Sequence, residues 1–410
     1  MAFTQWSGIL ATSLMAFSTL LAARPGWLEP FLGGLDKMYR LHKWQSIVAV
    51  LIAIAHWQLA ASPNGRHEPA IGTQAADATA QAASNAVQTS QSFLSSWEGP
   101  AHGVAQPALW ILLALVAIAL IKKIPHHIFA LTHRLMPLVF LVLIFHSVVL
   151  TKSAYWSQPI GWVFGLVALV GAAASVIALL RLIGAHRKVG AKVLSKKHIA
   201  DVKSLLVELQ MEDGWKGHMP GQFAFVSSRR SWNVHPFTIA SNWDARTKRI
   251  SFIVKELGDT TTGLDERLPV GAELVVEGPY GRFNFQDAKR RQTWISGGIG
   301  VTPFVARMKE MATVPGKQTI DLFHSDVHDD SPAYELLRQD AKRGNVNLHL
   351  IVTRKDGRLT GEKIRSLVPD WKEASIWFCG PSRFAAAIKL DLMRHGLNSA
   401  DFHHELFEMR

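Results

Sequence analysis

The chain reads as an α-helical membrane bundle followed by an antiparallel β-barrel and an α/β domain with a mostly parallel sheet. Three observations predict this. Apolar, tryptophan-rich runs crowd the first half, short β runs separated by turn residues begin near Ala191, and strands alternate with helical stretches from Gln292 onward. A chain of 410 residues exceeds one ordinary core, so two or three domains are expected. The boundaries fall at residues 1–188 for the membrane bundle, 189–290 for the barrel and 291–410 for the α/β domain.

Five stretches read as membrane spans: Trp6–Ala23, Trp44–Ala61, Val104–Ile121, Leu135–Leu150 and Pro159–Leu180. Crossing a bilayer takes about 20 helical residues. The third and fourth spans therefore draw on flanking residues such as Ile128–Thr132. No Lys or Arg precedes the first, which argues against a signal peptide. The segment 62–103, rich in Ala, Ser, Gln and Thr, reads as an external loop with little to bury.

The net charge is +12, yet the basic residues form no dense patch of the kind a nucleic-acid binder needs. They flank the apolar runs instead, on alternating sides. Arg24, Lys37, Arg40 and Lys43 lie between spans one and two, and Lys122, Lys123 and Arg134 lie between three and four. Arg181, Arg187, Lys188 and Lys192 follow span five. The outward connections hold only Arg66 and Lys152. An excess of Lys and Arg marks the cytoplasmic side. The expected arrangement is thus a multi-pass protein of the inner (cytoplasmic) membrane, in contact with lipid, with its N-terminus outside and its soluble half in the cytoplasm. A single cysteine, Cys379, excludes a disulfide framework, a cysteine-ligated iron–sulfur cluster and a Cys-rich zinc site.

Span two is entered by His42 and carries His56 near its far end; span four is entered by His133 and carries His146. Both spans run outward, so His42 pairs in depth with His133, and His56 with His146. At about 1.5 Å per residue the two levels lie roughly 20 Å apart. Each histidine alone could be an interfacial or capping side chain, but ionisable residues inside spans are costly, and matched pairs need a reason. Two imidazoles at one level can clamp one iron from both faces, so two levels suit two stacked haems. His67, His102, His126 and His127 have no such match. A fourteen-residue step returns nearly to the same helix face, whereas the thirteen residues from His133 to His146 do not. Span four must bend, or its two ligands must approach from different angles.

In the soluble half, Leu205–Leu209, Gln222–Val226, Phe237–Ile239, Ile250–Lys255 and Glu273–Glu277 read as barrel strands. Thr293–Ile295, Ile320–Phe323, Asn347–Val352, Ile376–Cys379 and Phe402–Leu406 read as strands of the α/β domain, with helices over Thr302–Met311 and Ser382–Arg394. The glycines at 297, 298 and 300 let a strand turn into a helix whose N-terminus faces a phosphate. Alone that motif is weak, since a tight turn reads the same way.

The ordered series of motifs is more specific. Pro220-Gly221-Gln222-Phe223 followed by His235-Pro236-Phe237-Thr238 resembles the FAD signature of the NADPH oxidase and ferric reductase family. Gly258-Asp259-Thr260-Thr261 resembles its second flavin segment. Gly297-Gly298-Ile299-Gly300-Val301-Thr302-Pro303 resembles its pyridine-nucleotide loop, and Cys379-Gly380-Pro381 its nicotinamide-side motif. Phe407 matches the terminal aromatic residue that covers the flavin ring, and the histidine pairs match the haem ligands. The resemblance covers roughly residues 20–410 and is closest to prokaryotic NADPH oxidase-like flavocytochromes b.

The resemblance implies an enzyme that takes hydride from NADH or NADPH onto FAD. Electrons then pass singly to an inner haem b on His42 and His133, to an outer one on His56 and His146, and to an external small-molecule acceptor. That acceptor is oxygen, giving superoxide, or a ferric complex. A cytochrome b-type donor to a periplasmic protein partner is the alternative, although no partner is required. Cys379 and Phe407 would work at the hydride-transfer end. Two departures stand out. The family commonly has six spans against five here, and Asp326 stands where NADPH-preferring members carry a basic residue. A carboxylate there suits the free ribose hydroxyl of NADH.

Overall fold

A computed structural model describes residues 2–62, 95–121, 123–228, 234–258, 261–327 and 332–405. The chain divides into two compact units, a helical one up to Ile183 and a second from Gly184 onward, to which Pro30–Lys37 also belongs.

The helical unit is built from α1 (Ala2–Ala22), α2 (Leu35–Ala61), α3 (Glu98–Leu120), α4 (His126–His133), α5 (Met136–Leu150) and α6 (Pro159–Leu179). Four segments are long and apolar enough to cross a membrane: α2, α3, the α4–α5 run His127–Leu150, and α6. Although α1 has 21 residues, Thr4, Gln5, Ser7, Thr12, Ser13, Ser18 and Thr19 lower its hydropathy. The bundle packs inward through Val50, Ala108, Leu112, Leu115 and Val139, and through Ala16, Phe140, Ile144 and Ala168. Its exposed side chains include Leu51, Trp110, Leu166 and Leu169. Apolar groups on the outside as well as the inside are what a lipid environment selects. The third span starts earlier than its apolar run, because Glu98 provides an acidic first turn and Pro100 tolerates an N-terminal position. Glu98 and His102 therefore belong to a helix rather than to the preceding loop. His67, Glu68 and Asp77 lie outside the described residues.

The second unit opens with six antiparallel strands: β1 (Lys188–Ile199), β2 (Ser204–Met211), β3 (Phe223–Ser228), β4 (His235–Thr238), β5 (Arg249–Lys255) and β6 (Glu273–Tyr280). Their order is β4-β3-β6-β1-β2-β5, and one bridge, Ile239 to Phe252, joins the two end strands. Ala191, Val193, Leu205, Val207, Leu209, Ile250, Phe252 and Val276 fill the interior. β1 is not among the barrel strands expected from the sequence. Lysines at 188, 192, 196 and 197 dilute its hydrophobicity while Ala191 and Val193 still alternate inward.

The rest is a five-stranded sheet of β7 (Arg291–Gly297), β8 (Thr319–Asp326), β9 (Asn347–Val352), β10 (Ser375–Cys379) and β11 (Phe402–His404). All pairings are parallel, in the order β11-β10-β7-β8-β9. Alternation splits the sheet between two cores. Ile295, Phe323, Ile351, Ile376 and Phe378 meet helices α9 (Gly361–Leu367) and α10 (Ser382–Arg394), while Trp294, Leu322, Trp377 and Cys379 meet α7 (Thr302–Met311) and α8 (Pro332–Arg343). Helices on both faces make the strands fully buried, which is why they read as apolar runs.

Candidate redox sites

The histidines meet in two pairs. The ring centroids of His42 and His133 lie 6.2 Å apart with their planes at 82°, and those of His56 and His146 lie 6.4 Å apart at 74°. The segment carrying His133 and His146 breaks at Arg134–Leu135, between α4 and α5, with Pro137 in the first turn of α5. That break lets residues thirteen apart face the same partner helix. A metal–nitrogen bond of about 2.0 Å plus roughly 1.1 Å from nitrogen to ring centre, counted on both sides, separates clamping imidazoles by about 6.2 Å. Both pairs fit that figure. Among the described residues no group of three or more His, Cys, Asp or Glu side chains converges on one point. A two-ligand site suits a metal that brings its own equatorial donors.

Three of the four rings are anchored. The Nδ1 of His42 meets the Ser18 main-chain oxygen at 2.8 Å and the Ser18 hydroxyl at 3.2 Å. The Nδ1 of His56 meets the Thr4 oxygen at 3.0 Å and the Ser7 hydroxyl at 3.1 Å. The Nδ1 of His146 meets the Ala101 oxygen at 3.0 Å. A carbonyl partner makes Nδ1 the protonated nitrogen and leaves the Nε2 lone pair free for a metal. Gly8 clears the ground for this, since a Cβ there would sit 3.0 Å from the His56 ring. His102, exposed in the first turns of α3, also faces His146, with centroids 6.4 Å apart.

The flavin motifs lie on, or directly follow, the two end strands of the barrel sheet. β4, which is the sequence His235-Pro236-Phe237-Thr238, pairs with β3 from Phe223↔Thr238 to Val226↔His235. Its other edge meets β5 only at the Ile239–Phe252 bridge. Because that bridge is antiparallel, moving back along β4 to His235 corresponds to moving forward along β5 to Lys255 and on to Gly258. The split between the strands thus has the HPFT run on one side and the Gly258 turn on the other. Backbone donors and acceptors on these open edges fit a ligand rich in hydroxyls and phosphates. Thr261 shapes the turn by accepting the Leu257 N–H at 2.9 Å and donating its own N–H to the Gly258 oxygen. Asp259 and Thr260 lie outside the described residues.

The nucleotide motifs meet at the point where the parallel sheet reverses direction. From β7 the chain winds outward through β8 and β9, then returns to β10 on the other side of β7. Ligands of such sheets sit at the strand C-termini beside this switch point. Gly297-Gly298-Ile299-Gly300 leaves β7 there, and Cys379-Gly380-Pro381 leaves β10. A Cβ on Gly300 would lie 2.2 Å from the Cys379 oxygen, so only glycine lets the two loops meet. Val301, Thr302 and Pro303 open α7, where the Thr302 hydroxyl donates to the Ile299 oxygen at 2.8 Å. Lys309 ties α7 to the loop after β4, its Nζ donating to the Ala240 oxygen at 3.0 Å. Burial lowers the Lys309 pKa. Ser325 is in register with Gly297, and Asp326 ends β8 beside Val352. Beneath the glycine turn, the Ser296 hydroxyl meets the buried His324 Nδ1 at 2.9 Å. Burial lowers the His324 pKa to about 4, so the ring is neutral at pH 7.

The side chain of Cys379 is fully buried, and burial together with the Glu405 carboxylate raises its pKa well above the ordinary thiol value. A protonated, enclosed thiol is a packing group and not a nucleophile. The part of Cys379 that meets the switch point is its backbone. Phe407 lies outside the described residues. Sequence reasoning missed Thr4, Ser7, Ser18 and Ala101. One signal was available: Thr4 and Ser18 are fourteen residues apart, the same step as His42 to His56 on the neighbouring antiparallel helix.

This is a membrane-spanning, flavin-dependent oxidoreductase. The ferric reductase like transmembrane component matches residues 7–144, and an FAD-binding domain matches residues 191–284. Those two parts in that order are the architecture of the NADPH oxidase and ferric reductase family, to which the chain belongs. The soluble half is also similar to reductase components. It is 29% identical over 205 residues to the glycine betaine monooxygenase reductase subunit of Chromohalobacter salexigens, covering 46% of this chain and 55% of that protein. It is 24% identical over 202 residues to the toluate 1,2-dioxygenase electron transfer component of Pseudomonas putida, covering 46% of this chain and 58% of that protein. The chain thus spans about half the length of these relatives. A solved structure, the ferredoxin reductase in carbazole 1,9a-dioxygenase, aligns at 21% identity and a TM-score of 0.46, covering 54% of this chain and 69% of that one.

Proposed function

We propose that the chain carries reducing equivalents from cytoplasmic NAD(P)H, through FAD and two b-type haems, to an acceptor on the outer face of the inner membrane. The observation that carries this reading is the pair of clamp separations, 6.2 and 6.4 Å, at two levels of a bundle matched to a ferric reductase component. When bound, the flavin accepts two electrons and releases them singly, and the haems carry one at a time. The chain's own part is positional. His42 and His133 would hold the inner group, and His56 and His146 the outer one. The glycine turn at Gly297–Gly300 admits the dinucleotide's phosphates, while Asp326 offers a carboxylate to its ribose. The opening between β4 and the Gly258 turn receives FAD.

His56 and His146 would both be taken up in holding the outer haem, whose chemistry there would then be electron transfer without binding of the acceptor. That favours outer-sphere reduction of oxygen to superoxide over a dedicated ferric site. A second reading, donation to a partner protein, draws support from the relatives of the soluble half, which are named as a reductase subunit and an electron transfer component.

The deciding experiment is stopped-flow spectroscopy of the purified protein with NADH or NADPH under anaerobic conditions. Flavin bleaching followed by the α-band of reduced low-spin haem is expected. Flavin reduction without any haem band in a protein shown to contain haem would refute the proposed path.

A further inference from the structure

Lys309 ties the barrel to the α/β domain. Its Nζ, on α7, donates to the Ala240 oxygen at 3.0 Å. Ala240 stands just past Thr238, where β4 ends, and Lys309 lies two turns along α7 from Thr302, where that helix begins. One hydrogen bond therefore links the helix that opens at the glycine turn to the strand that carries His235-Pro236-Phe237-Thr238. Burial works against the charge of this ammonium, while the carboxylates of Asp340, on α8, and Glu208, on β2, favour it.

Both ends of the tie are stiff. Ala240 is fully buried, its N–H donates to the Ser251 oxygen at 2.7 Å, and Ile239 before it bridges to Phe252. On α7, Phe304, Val305, Met308 and Met311 pack into the core between helix and sheet. A bond between two loops would be absorbed by their motion, whereas a bond between two packed elements sets their spacing. Hydride transfer is sensitive to such spacing: the reacting atoms must approach to about 3–3.5 Å, and a misplacement of about 1 Å can cost roughly 100-fold.

We infer that Lys309 is a positioning residue for hydride transfer, holding the HPFT strand and the glycine-turn helix at the separation that brings the nicotinamide to the flavin. This rests on the reading that FAD enters between β4 and the Gly258 turn and that the dinucleotide docks at Gly297–Gly300. In that step a hydride leaves C4 of the dihydronicotinamide for N5 of the flavin, so the nucleotide is oxidised by two electrons and the flavin reduced by two. Lys309 exchanges no proton in it.

The test uses the purified full-length protein with FAD bound and whichever of NADH and NADPH the wild type uses better. In anaerobic stopped-flow, Lys309→Met should lower the rate of flavin reduction at saturating nucleotide about tenfold to 100-fold. The half-saturating nucleotide concentration should stay within about twofold, with FAD content unchanged. Dithionite, which needs no docked geometry, should bleach the flavin of variant and wild type alike. Lys309→Arg, which keeps a cation with donors, should recover most of the rate. Deuterium exchange reads the tie without turnover: the Ala240 N–H should exchange faster in Lys309→Met than in the wild type, and those of β1 and β6 should not. Should Lys309→Met lose FAD, Lys309→Gln, whose amide ends one bond short of the Lys309 Nζ, is read the same way. Unchanged flavin reduction, an effect confined to the half-saturating concentration, or loss of FAD from both variants overturns the inference. A wild-type flavin bleached by dithionite but by neither nucleotide would instead remove the reading beneath it.

Discussion

His42 and His56 stand fourteen residues apart on one helix, and each places its Nδ1 on a carbonyl of α1, those of Ser18 and Thr4. Antiparallel helices in contact repeat the same step in opposite directions. A single helix can therefore anchor two histidine levels while contributing no histidine to either. Four of the polar side chains that lower the hydropathy of α1, those of Gln5, Ser7, Thr12 and Ser18, also tie it to its neighbours. Gln5 bonds the Leu150 oxygen at 3.2 Å, and Thr12 bonds Ser147 at 2.6 Å.

The first prediction follows from the pairs. Purified protein should contain two b-type haems per chain. Because the imidazole planes cross at 82° and 74°, both should give highly anisotropic low-spin resonance signals, unlike those of parallel imidazoles. His56→Ala or His146→Ala should remove one signal and stop transmembrane transfer, yet leave flavin reduction by NAD(P)H unchanged. Two intact signals in both variants would sink the assignment.

Much of this was legible in the sequence, and what was hidden has a physical cause. Glycine turns and the HPFT run are read directly, because backbone geometry demands those residues. β1 was hidden because exposed lysines mask an alternating strand whose buried face holds small side chains. The anchors of the histidines were hidden because three of them are main-chain oxygens, which any residue could supply. His102 shows the same limit from the other side. No spacing matches it to His146, yet the start of α3 brings the two rings together.

The second prediction concerns the nucleotide. Asp326 ends the strand beside the glycine turn, where its carboxylate would repel a 2′-phosphate and accept a ribose hydroxyl. NADH should be used at least as well as NADPH. Asp326→Ser should shift kcat/KM toward NADPH by about 1–2 kcal/mol, with most of the change in KM. The Ser325 and Thr353 hydroxyls lie 3.5 Å apart, which brings the exposed Arg354 near this corner. A wild-type enzyme favouring NADPH by about 2 kcal/mol would point to Arg354 as the phosphate contact and against Asp326.

A third prediction concerns acid stability. The pKa of His324 falls from 6.5 to about 4 on burial, so its proton binds the unfolded chain first. Above pH 6.5 both states are neutral and this group contributes no pH dependence. As pH falls from 6.5 to 4, the folded state loses ground by about 1.4 kcal/mol per unit, or about 2 kcal/mol by pH 5. The midpoint of thermal flavin release should accordingly drop from pH 7 to pH 5. His324→Gln, which keeps a hydrogen-bonding group beside Ser296, should flatten that drop even if its midpoint at pH 7 is lower. An equal drop in both proteins would assign the acid sensitivity elsewhere.

The last prediction concerns the acceptor. If His56 and His146 both hold the outer haem, as proposed, oxygen or a ferric complex would be reduced without binding to its iron. Among the described residues near that level, Glu98 and His102 are the groups with metal affinity, and hard ferric iron prefers clustered oxygen ligands. A dedicated iron site is therefore not built from them. Purified enzyme supplied with NAD(P)H in air should release superoxide, read as dismutase-sensitive reduction of cytochrome c. Soluble ferric complexes should be reduced anaerobically at rates that rise linearly with concentration, as collision at an exposed edge requires. Saturation at low ferric concentration with negligible superoxide would make the protein a ferric reductase. Full haem reduction with neither acceptor turning over would point to a protein partner, and His102→Ala, outside both pairs, would then be the first variant to test for loss of that transfer.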